Sequence, residues 1–164
     1  REYPAWSLRS AYEHLWQIFD QKIRDINFVD YDYVRALMEE FDVVINTIPL
    51  KHICAKRESC RFYDQPSWIK YVRDGKEPFI PDDCIVYNGL EYPRWHRASH
   101  IDGLFFVEWG FPQDGATMVL KPQRTTCTCW PTSSSRFFCV GRYGTWTRDV
   151  LTHDAFHETR LRLA

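Results

Sequence analysis

The segment Asp42-Val43-Val44-Ile45-Asn46-Thr47-Ile48-Pro49 constrains the fold most strongly. Its apolar residues fall on consecutive positions, so a strand here needs cover on both faces, and Pro49 closes it. A strand of that kind suits a layered α/β sheet better than the half-wet sheet of a simple sandwich. Just upstream, Val34, Leu37 and Met38 form the apolar face of a short helix that Asp30 or Asp32 can cap. Earlier still, Ser10 and Glu13 have capping-box spacing. Tyr12, Leu15, Trp16, Phe19, Ile23 and Ile26 follow at near-helical intervals and predict a helix from about Ala11 to Asp25. The expected class is α/β, or α+β, as a layered fragment with a mixed sheet.

A chain of 164 residues can bury one good core but not two large ones, so residues 1–164 read as a single domain or a domain fragment. Cys60–Trp68, Cys84–Asn88, Leu104–Trp109, Ala116–Leu120 and Arg136–Val140 read as further strands. The Thr- and Ser-rich stretch from Pro122 to Ser135 reads as a surface excursion, and a last helix runs from about Asp149 or Val150 to Leu161. Lys and Arg total 21 against 22 Asp and Glu, giving a formal net charge of -1. With arginines dispersed along the chain, this disfavours nucleic acid as a partner. No apolar run is long enough to span a bilayer and residues 1–10 lack the pattern of a signal peptide, so the expected location is cytoplasmic, with no membrane contact. The start at Arg1 instead of Met suggests a truncated or processed N-terminus.

The six cysteines, Cys54, Cys60, Cys84, Cys127, Cys129 and Cys139, are irregularly spaced and do not require a disulfide framework. Cys127-Thr128-Cys129 puts two thiols on one side of an extended segment. The usual zinc pattern of two separated cysteine pairs is not evident, so free buried thiols and no metal are expected. His153 and His157 share a helix face at i and i+4, but two ligands do not close a metal site. His96 and His100 are candidates for proton transfer. No nucleophile elbow or triad is present, and no general base is assigned.

The most informative segment for chemistry is Phe138-Cys139-Val140-Gly141-Arg142-Tyr143-Gly144-Thr145-Trp146, continuing to Val150-Leu151-Thr152. A buried strand feeding a glycine-containing turn and a helix start can bring backbone N–H groups to an anion or a cofactor, with Arg142 adding charged donors. Alternatively, Gly141 and Gly144 only let the chain turn and Arg142 meets a surface carboxylate. This segment resembles the C-terminal part of UDP-galactopyranose mutase and the flavin-dependent amine-oxidase-like proteins. Their strand is followed by Gly-Arg-Leu-Gly or a variant, an aromatic residue, and a helix that approaches the flavin. Asp42–Pro49 and the stretch from Cys84 to Ser99 resemble further segments of that family in the same order.

The resemblance implies an FAD site built from Pro49, Gly141, Arg142, Tyr143, Gly144, Val150, Leu151 and Thr152. It also implies that Arg97, Trp146 and His153 lie on the substrate side. The Gly-x-Gly-x-x-Gly fingerprint of a dinucleotide-binding fold is missing from the chain. The expected function is therefore the C-terminal part or subunit of an FAD-dependent oxidoreductase or sugar-nucleotide mutase, acting with an upstream polypeptide or in a homo- or hetero-oligomer. The competing expectation is a non-enzymatic structural or protein-interaction subunit, with Trp68, Trp95, Trp109, Trp130 or Trp146 as interface anchors.

Overall fold

The computed structural model describes residues 8–23, 28–72, 80–91, 94–130 and 136–163. The expected helix end at Asp25, Ile26, the loop residues 73–79, Tyr92, Pro93 and the serine run Ser133–Ser135 lie outside the described residues. The order of elements is α1 (Leu8–Phe19), a 3-10 turn (Asp20–Lys22), α2 (Tyr31–Glu40), β1 (Val44–Asn46), β2 (Phe62–Tyr71) and β3 (Cys84–Tyr87). Then follow β4 (Trp95–Ile101), β5 (Leu104–Trp109), β6 (Thr117–Thr125), β7 (Phe137–Cys139), α3 (Gly141–Thr145) and α4 (Thr152–Leu163). The architecture is mixed α/β with a multi-strand antiparallel sheet.

The chain divides into two compact units: residues 1–25 with 66–120, and residues 26–65 with 121–164. In the first, β3, β4, β5 and the later part of β2 pair antiparallel in that order, with the start of β6 beyond β2. Antiparallel register alternates side chains between faces. Ala98, Val107, Trp95, Trp109 and Ile80 form one buried cluster, supported by Val86, Phe105 and Phe111. Glu108, opposite Arg97 in the β4–β5 register, is buried and is held by Arg97 Nη2 at 2.8 Å and by the Ser67 hydroxyl at 2.8 Å.

The second unit contains the only parallel pair among the described residues, β1 with β7, register Ile45 to Phe138. Parallel and antiparallel pairing thus fall in two separate sheets, where the sequence suggested one mixed sheet. Asp30 caps α2, its carboxylate accepting from Tyr33 N at 2.8 Å. Val34, Leu50, Ile53, Phe137 and Trp146 are the core, with Val44, Met38, Ile48, Phe62 and Trp130 packed against it. Ile45 remains 36% exposed, so β1 is covered less completely than its apolar sequence suggests.

The sequence-based elements are shifted mainly where tertiary pairing extends or trims them. Thr117–Thr125 takes in the first residues of the expected surface excursion, and Pro122 there is fully buried. Gly141–Thr145, expected as a turn, is a short helix.

Candidate metal centre

The loop between β1 and β2 and the chain just beyond β6 converge in the second unit. Pro49 opens a helical turn, fitting its fixed φ, with His52 N donating to Pro49 O at 2.8 Å and Ile53 N to Leu50 O at 3.2 Å. This turn delivers Cys54. A second turn follows, in which the N–H groups of Ser59 and Cys60 donate to Lys56 O at 3.1 and 2.8 Å, and it delivers Cys60 at the entrance to β2.

Two clamps hold the opposite segment against these turns. Next to Cys60, Thr126 N and the Thr125 hydroxyl donate to Arg61 O at 3.0 and 2.9 Å, and Arg61 N donates to Thr126 Oγ1 at 3.0 Å. Next to Cys54, Trp130 Nε1 donates to Ile53 O at 2.9 Å while its ring lies 4.3 Å from that of Phe137 and 4.7 Å from that of Tyr31. Cys127 and Cys129 sit between the clamps. Cys127 N donates to Thr125 Oγ1 at 3.0 Å, which turns the backbone there.

The Sγ atoms of Cys54, Cys60, Cys127 and Cys129 all lie within 4.8 Å of one another. Cys127 is 3.5 Å from Cys54, Cys54 is 3.6 Å from Cys129, and Cys60 is 3.8 Å from Cys129. Four sulfurs around one ion at about 2.3 Å in a tetrahedron stand about 3.8 Å apart. The same distances are far beyond a disulfide bond of about 2.05 Å, and all six cysteines are free. The set can hold one ion with soft sulfur ligands, and its compactness leaves no room for a polynuclear cluster.

Electrostatics support the same chemistry. Burial pushes the Cys54 thiol up to about 11, against a hydrogen bond from the Lys56 N–H. Burial also pushes Cys127 well above the ordinary thiol range, and its neighbours Cys54 and Cys129 add to the rise. At Cys129 burial acts upward too, but hydrogen bonds from Cys54, the Lys56 N–H, Cys127 and Cys60 outweigh it and leave this thiol below its usual value. Without a cation, burial therefore opposes ionisation at Cys54 and Cys127, while the hydrogen bonds converging on Cys129 ease it there. A bound divalent ion overcomes that opposition, because its charge displaces the protons. The Lys56 amide already donates to two of the sulfurs, the kind of outer-shell support that orients metal ligands.

This finding corrects the expectation of no metal. The two cysteine pairs are present, but with five residues between Cys54 and Cys60 and one between Cys127 and Cys129, outside the usual ligand spacing. The shared side of Cys127 and Cys129 was the only local signal. The clamps through Arg61 and Ile53 that join the pairs are tertiary.

The FAD expectation is corrected with it: nothing in the structure supports a flavin, and Pro49, Arg142, Tyr143, Gly144 and Leu151 of the residues assigned to it are engaged in turns and packing. Arg142 donates from Nε and Nη2 to Arg148 O at 3.0 and 2.5 Å, which ties down the exit of α3. Gly144 is buried against β1, where a Cβ would stand 2.6 Å from Asn46 O. Gly141 has φ +73° and starts α3, and Tyr143 O accepts from Leu50 N at 3.0 Å. Trp146 is 1% exposed, with its Nε1 donating to Tyr63 O at 3.0 Å and its ring edge-on to Phe62 at 5.5 Å. Pro49 serves the turn that leads to Cys54.

Val150 is half-buried, Leu151 is exposed with its N–H donating to Asp154 Oδ2 at 2.8 Å, and Thr152 begins α4. His153 is exposed beside Asp154 at 3.4 Å, and His157 is exposed with its ring 5.7 Å from that of Phe156. Arg97 belongs to the other unit and pairs with Glu108 there. In that unit, His100 Nδ1 lies 2.9 Å from Asp82 Oδ1, and His96 packs on Gly110. The structure does bring Pro49, Gly144 and Trp146 into one neighbourhood, as packing between β1, α3 and the core.

No protein-family model matches the chain, and no curated protein or solved structure matches it significantly.

Proposed function

We propose that this chain is a non-enzymatic structural or protein-interaction protein whose second unit is fastened by a tetrathiolate zinc centre. The observation that carries this reading is the convergence of Cys54, Cys60, Cys127 and Cys129 from two separately clamped segments. Four protein ligands complete the tetrahedron and leave no open position for substrate, which is the arrangement of a structural rather than a catalytic zinc site. Sulfur-only ligation in a tetrahedron suits zinc and needs no redox activity of the metal.

The interaction part of the reading is supported by α1. Tyr12, Leu15, Trp16 and Phe19 follow one another at helical spacing and are 63, 53, 43 and 45% exposed. A contiguous apolar stripe of this kind marks a contact surface for another protein or another copy of the chain. The tryptophans expected as anchors serve otherwise: Trp95, Trp109 and Trp146 are buried in the two cores, and Trp68 and Trp130 are half-buried. Among the described residues no helix is long and apolar enough to cross a membrane. A centre made of thiolates belongs in a reducing compartment, and we place the chain in the cytoplasm on that ground.

Elemental analysis of the full chain purified without chelators tests the reading. One zinc per chain is expected, and Co2+ exchanged into the site gives the intense visible bands of a tetrahedral thiolate complex. A chain that takes up neither ion in stoichiometric amount, and whose melting temperature ignores a strong chelator, overturns it.

A further inference from the structure

We infer that the four-cysteine cluster is also an oxidative modification site, at which a hydroperoxide converts the thiols into two defined disulfides, Cys60–Cys129 and Cys54–Cys127. The inference rests on the same four-thiol cluster as the proposed zinc centre, but not on the metal itself.

The pairing follows from distance. Three sulfur contacts are short: Cys54 to Cys127 at 3.5 Å, Cys54 to Cys129 at 3.6 Å and Cys60 to Cys129 at 3.8 Å. Among these three contacts, Cys60 with Cys129 and Cys54 with Cys127 are the two that share no residue, whereas Cys54 with Cys60 and Cys127 with Cys129 would each join neighbours on a single segment and leave the two segments unlinked. The alternative through Cys54 and Cys129 leaves Cys60 with Cys127, which are near each other only within the 4.8 Å envelope of the cluster. Each inferred bond crosses between the two clamped segments, so oxidation preserves the junction that the metal would otherwise make. The hydrogen bonds of Arg61 with Thr125 and Thr126, and of Trp130 with Ile53, hold the pairs in place during the exchange.

Exposure sets the order. Cys60 and Cys129 are both half-buried, whereas Cys54 is 4% exposed, so the Cys60–Cys129 bond forms first. In each step one thiolate attacks a peroxide oxygen, the O–O bond breaks, and a sulfenic acid forms with loss of hydroxide. The partner thiolate then attacks that sulfur, a second hydroxide leaves, and two protons convert the hydroxides to water, drawn from solvent in the zinc-bound chain and from the ionising thiols themselves in the metal-free one. Two peroxides are reduced, four cysteines are oxidised and four waters form in total, with four protons taken up when all four start as thiolates and none when they start as thiols. A zinc ion bound to the four thiolates loses its ligands and is released with them.

The test is a hydrogen peroxide titration of the reduced full chain, with zinc and after chelation, read by free-thiol count, a chromogenic zinc indicator and disulfide peptide mapping. The expected result is a fall from six free thiols to two, Cys84 and Cys139, with two peroxides consumed per chain. Mapping should show Cys60–Cys129 at low peroxide and Cys54–Cys127 joining it later. One zinc is released per chain in the loaded sample. The variant Cys84→Ser, Cys139→Ser should give the same two bonds and end with no free thiol. Bonds between Cys127 and Cys129, the pairing Cys54–Cys129 with Cys60–Cys127, sulfinic acids in place of disulfides, or dominant interchain bonds each overturn the inference. A chain that binds no zinc but forms the two mapped bonds refutes the metal reading alone. A chain that binds zinc and gives scrambled or over-oxidised cysteines refutes this inference alone.

Discussion

The two units solve the same stability problem by different means. In the first, antiparallel strands β2 to β5 supply a continuous ladder, and one face of it carries the Ala98, Val107 and Trp109 core. In the second, three-residue strands β1 and β7 form a parallel pair, and the start of β2 and the end of β6 join short helices and long turns to complete it. A two-stranded sheet is marginal by itself, and parallel pairing demands cover on both faces. The cysteine cluster lies in the unit whose backbone ladder is the poorer. Where hydrogen-bonded strands are few, a covalent or metal staple between distant segments replaces them.

Removing the metal is therefore the sharpest way to break the comparison. Structural zinc contributes about 10–16 kcal/mol of folding energy in small zinc-finger peptides, so the loss here is expected to exceed that of any core substitution. Chelation should abolish hydrogen-exchange protection at Val44–Asn46 and Phe137–Cys139 while Trp95–Trp109 keep theirs. Cys54→Ser should do the same. Equal loss of protection in both units would show that the staple is not specific to the second.

Acidity sharpens the contrast. In the metal-free chain, burial raises the Cys54 and Cys139 thiols from 9.0 to about 11, so folding favours their protonated form. That contribution is complete below pH 9 and fades as pH rises toward about 11, because the unfolded chain ionises first. The metal-loaded chain behaves in the opposite sense on the acid side, since protons compete with the ion for sulfur. Melting temperature measured against pH, with and without chelator, should give curves that fall at opposite ends. Parallel curves would remove the ion from the account.

Core substitution comes next in size. Trp146→Ala empties a site that is 1% exposed, loses the edge-on contact with Phe62 and leaves Tyr63 O without its indole donor. The expected cost is about 3–5 kcal/mol, read as a lower urea midpoint. With zinc bound, the variant should still fold. A cost below about 1 kcal/mol would mean that the cluster, and not the Trp146 core, sustains the second unit.

The sequence read as one domain and did not show the division, but several of the elements were legible in it, and the reasons for the failures are specific. Helical periodicity placed α1 and α2, and Asp30 at the cap is a local signal that needs no tertiary partner. Leu104–Trp109 was found at its observed limits because turn residues bound it on both sides. Trp95–Ile101 carries polar His96, Arg97, Ser99 and His100, so its pairing with β3 and β5 was hidden. At the candidate site the two cysteine pairs are separated by residues 61–126, and only the folded backbone shows that Arg61 meets Thr126. The glycine-arginine turn was conspicuous in sequence because glycine and arginine serve ligand sites and packing alike. Contacts decide between those uses, and here Arg142 binds Arg148 O and Gly144 packs on Asn46 O.

Gly144→Ala tests that last point with a smaller effect. The added methyl would stand 2.6 Å from a backbone oxygen that cannot rotate away, so α3 must move from β1. Overpacking of this kind costs about 1–3 kcal/mol. Hydrogen exchange should rise at Val140, whose N–H donates to Asn46 O at 2.9 Å and joins the end of β7 to β1. Unchanged stability and exchange would remove close packing as the reason for glycine at this position.

Asp30→Ala is the mildest probe and bears on how the staple distributes stability. The carboxylate caps the α2 N-terminus through Tyr33 N, and its loss costs about 1 kcal/mol by itself. Because α2 supplies Val34 to the Trp146 core, that cost belongs to global unfolding of the second unit rather than to fraying alone. In the metal-free chain, where little stability remains, the substitution should visibly raise the unfolded fraction of that unit. With zinc bound the same free energy is lost, yet the unit stays almost wholly folded because the remaining margin is large. Circular dichroism of the variant with and without chelator reads the difference directly. If both samples lose helix equally, α2 opens independently of the cysteine cluster, and the staple secures only the turns and strand ends that carry its four sulfurs.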